Sequence, residues 1–113
     1  MRVLNKTKNR IIAVKATLAD SFWTRGKGLL GRQSIPADEA LVITQCQSIH
    51  MFFMKFPIDA VFVDKTNHVI GLVNAIRPNR LSPIFLKSSY VIELKDGMIK
   101  QTYTELGDEI ILD

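Results

Sequence analysis

One stretch of the chain concentrates side chains able to do chemistry: Cys46-Gln47-Ser48-Ile49-His50-Met51-Phe52-Phe53-Met54. A thiol, an imidazole and two thioethers together suit a soft metal such as Cu(I). Spacing argues against that use. On a strand Cys46, His50 and Met54 share a face, but each four-residue step spans roughly 13 Å, so the three cannot meet on one ion. The Phe and Ile content and the stop at Pro57 favour the extended reading over a helix, so neither a metal nor a cofactor is expected. The segment is predicted as a core strand with packed Met and Phe side chains, one that can also wall a small-molecule or peptide pocket. Cys46 and His50, four apart on a strand, do not touch, and no glycine-rich oxyanion loop surrounds the thiol; a buried structural cysteine is expected.

His50 remains a candidate general base or proton-sensitive hydrogen bonder near neutral pH. Asp59 just after Pro57, or Glu93 inside the apolar run Val91-Ile92-Glu93-Leu94, is a carboxylate that could orient it. Ile92 and Leu94 share a face, so Glu93 points the other way with Val91, toward an expected solvent face. Arg25-Gly26-Lys27-Gly28 resembles a phosphate loop only superficially, fitting neither the Walker nor the dinucleotide spacing, and reads as a helix end. Arg32 follows closely and is placed to bind a carboxylate or cap a pocket.

The elements that must position these groups are short. Val3-Leu4 and Ile11 to about Ala16 read as strands across a polar turn with two Asn. Thr17 or Asp20 is the expected cap of a short helix ending near Lys27, where Gly26, Gly28 and Gly31 break regular structure. Glu39 to Thr44 is an apolar run of strand length. Asp59–Val63 and Val69–Asn74, joined by Asp64-Lys65-Thr66-Asn67-His68, predict a β-hairpin. Tyr90–Leu94 is a further strand, Met98–Tyr103 a helical turn, and Glu109–Leu112 a last strand. About seven strands and one or two short helices predict a mainly β (α+β) fold, a small, largely antiparallel sheet closed into a barrel-like single domain over residues 1–113.

Composition narrows the function classes. Hydrophobic residues are 47% and charged residues 23%, with six Gly and four Pro, which excludes disordered, collagen-like and low-complexity chains. One cysteine excludes an internal disulfide and any Cys-only zinc site. No apolar run approaches the ~18 residues of a membrane span, and the N-terminus is too charged for a signal peptide. A cytoplasmic protein is therefore expected, exported only if a leader has been removed, and a monomer. Residues 1–56 carry nine bases against three acids, and residues 57–113 six against eight. The basic half could attract phosphates. With no long block of like charge and no interleaved aromatics, nucleic acid is disfavoured.

Arg25 with Gly28-Leu29-Leu30-Gly31-Arg32, Ile49-His50-Met51-Phe52-Phe53-Met54, Phe56-Pro57-Ile58-Asp59-Ala60-Val61-Phe62, Glu93-Leu94 with Gly97, and Gly107-Asp108 resemble, in order and spacing, the bacterial and archaeal family called domain of unknown function 192. The resemblance runs from about Ala13 to Ile111. Leu30 stands where that family more often has Met, Phe52 where it often has Trp, and Lys95-Asp96 where it usually has Pro-Ala. The resemblance implies a compact β-rich domain and carries over Gly28, Leu29, Arg32, His50, Met51, Met54, Asp59, Glu93 and Gly97 as motif residues.

The leading expectation is a non-enzymatic module binding a small molecule or peptide in an apolar groove lined by His, Met and Phe, with Arg32, His50, Met51, Met54, Asp59 and Glu93 as ligand-facing residues. The alternative is a small hydrolase or lyase using His50 with Asp59 or Glu93, which requires a carboxylate about 2.6–3.2 Å from the imidazole. Nucleic-acid binding through the basic half ranks third.

Overall fold

Alternating burial along three central strands organises the molecule, whose computed structural model describes residues 1–113 apart from the side chains of Phe22 and Trp23. In chain order the elements are β1 (Val3–Asn5), β2 (Arg10–Ala13), β3 (Lys15–Ala19), α1 (Phe22–Lys27), β4 (Glu39–Thr44), β5 (Ile58–Asp64), β6 (Val69–Ile76), β7 (Ser88–Lys95), α2 (Met98–Gln101) and β8 (Ile110–Leu112). They form a five-stranded sheet, β3-β4-β7-β5-β6, and a three-stranded sheet, β2-β1-β8. Every pairing is antiparallel except β3 with β4.

The fold is mainly β with two short helices, but neither sheet closes into the expected barrel. The large sheet stays open and is covered on both faces instead. Val42, Val61, Val63, Ile92 and Leu94 pack one face against Val3, Ile12 and Ile110 of the small sheet. Leu41, Ile43, Ala60, Phe62 and Val91 point the other way, toward Leu29, Ile35, Ile49 and Met51. Strands apolar on both faces belong in the middle of such a sandwich, which is why β5 is buried from Ile58 to Val63.

The turns follow their residue chemistry. The β1–β2 turn places Asn9, and the β5–β6 hairpin Asn67, at positive φ, a conformation that asparagine tolerates. Asp64 Oδ1 accepts from the Thr66 and His68 amides at 2.9 and 3.0 Å, tightening the hairpin. The helix start differs from expectation. Thr17 lies inside β3, and Ser21 is the cap, its Oγ accepting from the Thr24 amide at 3.1 Å while its own amide donates to Thr24 Oγ1.

The larger correction is the segment Cys46–Met54, expected as a core strand and found within a loop that runs on to Phe56. Phe53 adopts φ +64, and its neighbour Met54 donates back to the Met51 carbonyl at 3.2 Å, which turns the chain. Ile49 and Met51 are buried whereas Phe53 is 85% exposed. The loop is held by the segment 77–87: the Met51 amide donates to the Arg80 carbonyl, and the Ser82 amide to the Ile49 carbonyl. That segment is seated by Phe85, whose ring lies tilted by 35° to that of Phe62, 4.5 Å between centroids, and covers Gly71. A Cβ at Gly71 would meet the Phe85 ring at 2.5 Å. Among the described residues no helix is long and apolar enough to cross a membrane.

Candidate functional site

Glu93 lies in β7 opposite Leu41 of β4 and Ala60 of β5. The face expected to meet solvent is covered by α1, the glycine turn after it and the loop 45–57, and Glu93 is only 6% exposed. A cavity of about 100 Å³ opens onto it. Arg25 to Leu30 form one wall; Cys46, Ser48 to Met51 and Met54 form the other.

The wall after α1 depends on Gly28. Its φ of +48 and ψ of −126 lie in a region that side chains disfavour. A Cβ there would stand 3.9 Å from Glu93 Oε1. The Gly28 amide closes the helix by donating to the Thr24 carbonyl at 3.0 Å. This wall escaped sequence reading, which treated Arg25-Gly26-Lys27-Gly28 as a plain helix end. The usable signal was its glycine spacing together with one acid inside an apolar strand.

Among the described residues nothing donates a hydrogen bond to the Glu93 carboxyl, and burial pushes it up to about 7. Glu93 itself lines the cavity. Burial also pushes the Cys46 thiol up, and Glu93 adds to it, while a backbone hydrogen bond from Ser48 and the nearby Arg25 oppose it. Cys46 is half-buried on the cavity wall, not sealed in the core. His50 is exposed, bridges to Leu81, and stacks its ring 5.2 Å from that of Phe52. No His, Cys, Asp and Glu trio gathers to hold a metal ion among the described residues.

The six ligand-facing candidates therefore separate. His50, Met51, Met54 and Glu93 line one cavity; Asp59 and Arg32 do not. Asp59 pairs with Leu94 and shares its face, on the far side of the sheet. It is fully buried, accepting from the Ala75 amide at 2.8 Å and from the Gly97 and Ile99 amides at 3.1 and 2.9 Å. It ties β6 and the start of α2 to β5, and no described hydrogen bond joins it to His50. Arg32 pairs with Glu39 at 3.0 Å, beside a wider groove along β3.

Fold and site together define a small two-sheet β domain with one buried acid, without a hydrogen bond among the described residues, at the floor of a cavity. A family model for domain of unknown function 192 (DUF192), Uncharacterized ACR, matches residues 3–112, and the chain belongs to this family. It is 33% identical to a UPF0127 protein of Thermococcus sibiricus over 112 residues, covering 96% of this chain and 72% of that one. A solved structure of a protein of unknown function from Novosphingobium aromaticivorans superposes with a TM-score of 0.87 at 18% identity, over 99% of this chain and 84% of the other. A Sinorhizobium meliloti protein described as a candidate transcription regulator superposes at 0.81 with 20% identity, over 97% and 89%. At these identities the structural likeness speaks for the fold alone.

Proposed function

We propose that the domain binds a small ligand, or one group of a peptide, that presents a hydrogen-bond donor to Glu93. The carrying observation is the acid itself: nine-tenths buried, without a described partner, and facing a cavity. A buried polar group left unpaired costs about 1–3 kcal/mol, so a ligand supplying the missing donor binds with that gain. At about 100 Å³ the cavity is well below the ~300 Å³ at which drug-sized pockets begin. It accepts a small amine, amide or alcohol, or a single peptide group. Met51 and Met54 supply adaptable apolar walls, and Arg25 and Lys27 favour a ligand with an anionic end.

The test is an NMR screen of small amines, amides and alcohols against the 15N-labelled protein. Shifts clustered on Gly28, His50 and Glu93, lost in Glu93→Gln with the fold intact, support the reading. Shifts that persist in Glu93→Gln, or none across the screen, refute it.

A second reading rests on the same acid. A carboxyl pushed up to about 7 in a cavity that an imidazole also lines is suited to general acid–base chemistry. A small hydrolase or lyase would use Glu93 with His50, which no described hydrogen bond joins. Turnover of ester or amide libraries that vanishes in both Glu93→Gln and His50→Gln would favour it over binding alone.

A further inference from the structure

The loops 45–57 and 77–87 carry Lys55, Arg77, Arg80 and Lys87 and no Asp or Glu, while the rest of the chain balances eleven bases against eleven acids. The formal net charge of +4 is thus that of these two loops. None of the four cations enters an ion pair among the described residues. The same loops expose large apolar side chains: Phe53 85%, Leu86 76%, Ile84 69%, Leu81 67% and Phe52 42%.

These groups emerge from one structure. The loops run antiparallel, joined by Phe85 N to Gln47 O at 2.8 Å, Ser82 N to Ile49 O at 2.9 Å, Met51 N to Arg80 O at 2.8 Å and Asn79 N to Met51 O at 2.7 Å. Ile49 and Ser82 turn inward; their neighbours His50 and Leu81 turn out. The folded core therefore fixes the ribbon's inner side and leaves the apolar side chains outside.

We propose that this ribbon docks the domain on an anionic lipid bilayer, its apolar side chains entering the interface and its four cations meeting lipid phosphates. Exposed apolar patches ringed by charge mark interaction surfaces, and basic residues near an anionic leaflet add roughly fivefold each to partitioning. Leu81, Ile84 and Leu86 favour lipid over nucleic acid, since single strands are gripped by serial aromatic stacking to which aliphatic side chains contribute little. A fluid interface accepts aromatic and aliphatic groups alike. This goes beyond ligand binding at Glu93 and does not depend on it.

The test is co-sedimentation of the full chain with vesicles of phosphatidylcholine, with or without phosphatidylglycerol, at low and high salt. The expected result is binding to phosphatidylglycerol vesicles that salt weakens, with little binding to phosphatidylcholine alone. Arg80→Ser with Lys87→Ser should lower partitioning roughly 25-fold. Phe53→Asn with Leu86→Ser should lower it at least tenfold, and asparagine suits the positive φ at position 53. Thermal melts check that both variants fold. No binding to phosphatidylglycerol vesicles, unchanged binding in both folded variants, or tighter binding to a single-stranded oligonucleotide than to vesicles overturns the proposal.

Discussion

Glu93 has a thermodynamic signature that can be read without knowing its ligand. Its carboxyl lies at about 7 when folded against an ordinary 4.5, so the folded state holds the proton more tightly than the unfolded chain. Its contribution to stability is complete below pH 4.5 and is lost as pH rises to about 7, a loss on the order of 3 kcal/mol. Urea unfolding of the protein between pH 4.5 and 8 should fall through that window, and the Glu93→Gln curve should stay level. A parallel decline in the variant would assign the slope to another group. The residues around the cavity also divide sharply. Met51 is 1% exposed and Phe53 85%, so Met51→Ala should cost about 2–5 kcal/mol and Phe53→Ala less than about 0.5 kcal/mol. Similar losses in the two variants would contradict the loop geometry.

At the level of elements, Asp59 shows why spacing in sequence misleads about sites. In sequence it lies closer to His50 than Glu93 does, yet strand alternation sends Asp59 to the opposite face of the sheet. There it accepts three backbone amides and holds a helix of only four residues. Asp59→Ala should cost about 3 kcal/mol or more, since it strands buried donors, and amide exchange at Ile99 should accelerate first. Ligand shifts at Gly28 should survive below the melting temperature; their loss in a folded variant would return Asp59 to the site. The hairpin from Asp59 to Asn74 and the strand Glu39–Thr44 were legible because alternation and turn residues are local signals. The loop at Ser48–Phe56 was not, because its composition suits a core strand while its path is set by long-range bonds to residues 79–82 and by the turn at Phe53. The face of Glu93 could be read from its neighbours, whereas its burial could not. That burial depends on α1 and the loop 45–57, which pack there through long-range contacts.

Across the whole molecule, the charge asymmetry between the two halves of the chain folds onto itself. Arg2 pairs with Asp113, Lys6 with Glu109, and Lys8 with both Glu105 and Asp108. Three bases of the N-terminal half are thus met by C-terminal acids along the small sheet, where β1 lies between β2 and β8. This pairing offsets charge at the N-terminal end, while the paired loops 45–57 and 77–87 carry four bases and no acid. The ties between the ends differ in kind. Arg2 and Asp113 are both largely exposed, and such pairs contribute about 0–1 kcal/mol. Asp108 is 4% exposed and accepts from the Asn5 amide group, the Glu105 backbone and Lys8, each at 2.9 Å. Burial pushes its carboxyl up, but the bonds from Asn5, Glu105 and Lys8 outweigh that and hold it below the usual range. With the folded value depressed, its stabilisation is present above the unfolded value of 3.8 and is lost as pH falls through the folded one. Arg2→Ala should therefore leave urea unfolding at pH 6 nearly unchanged. Asp108→Ala should destabilise the protein strongly at pH 6 and reduce its acid-induced loss of stability. Equal effects of the two substitutions would mean that the exposed pair, and not the buried network around Asp108, holds the chain ends together.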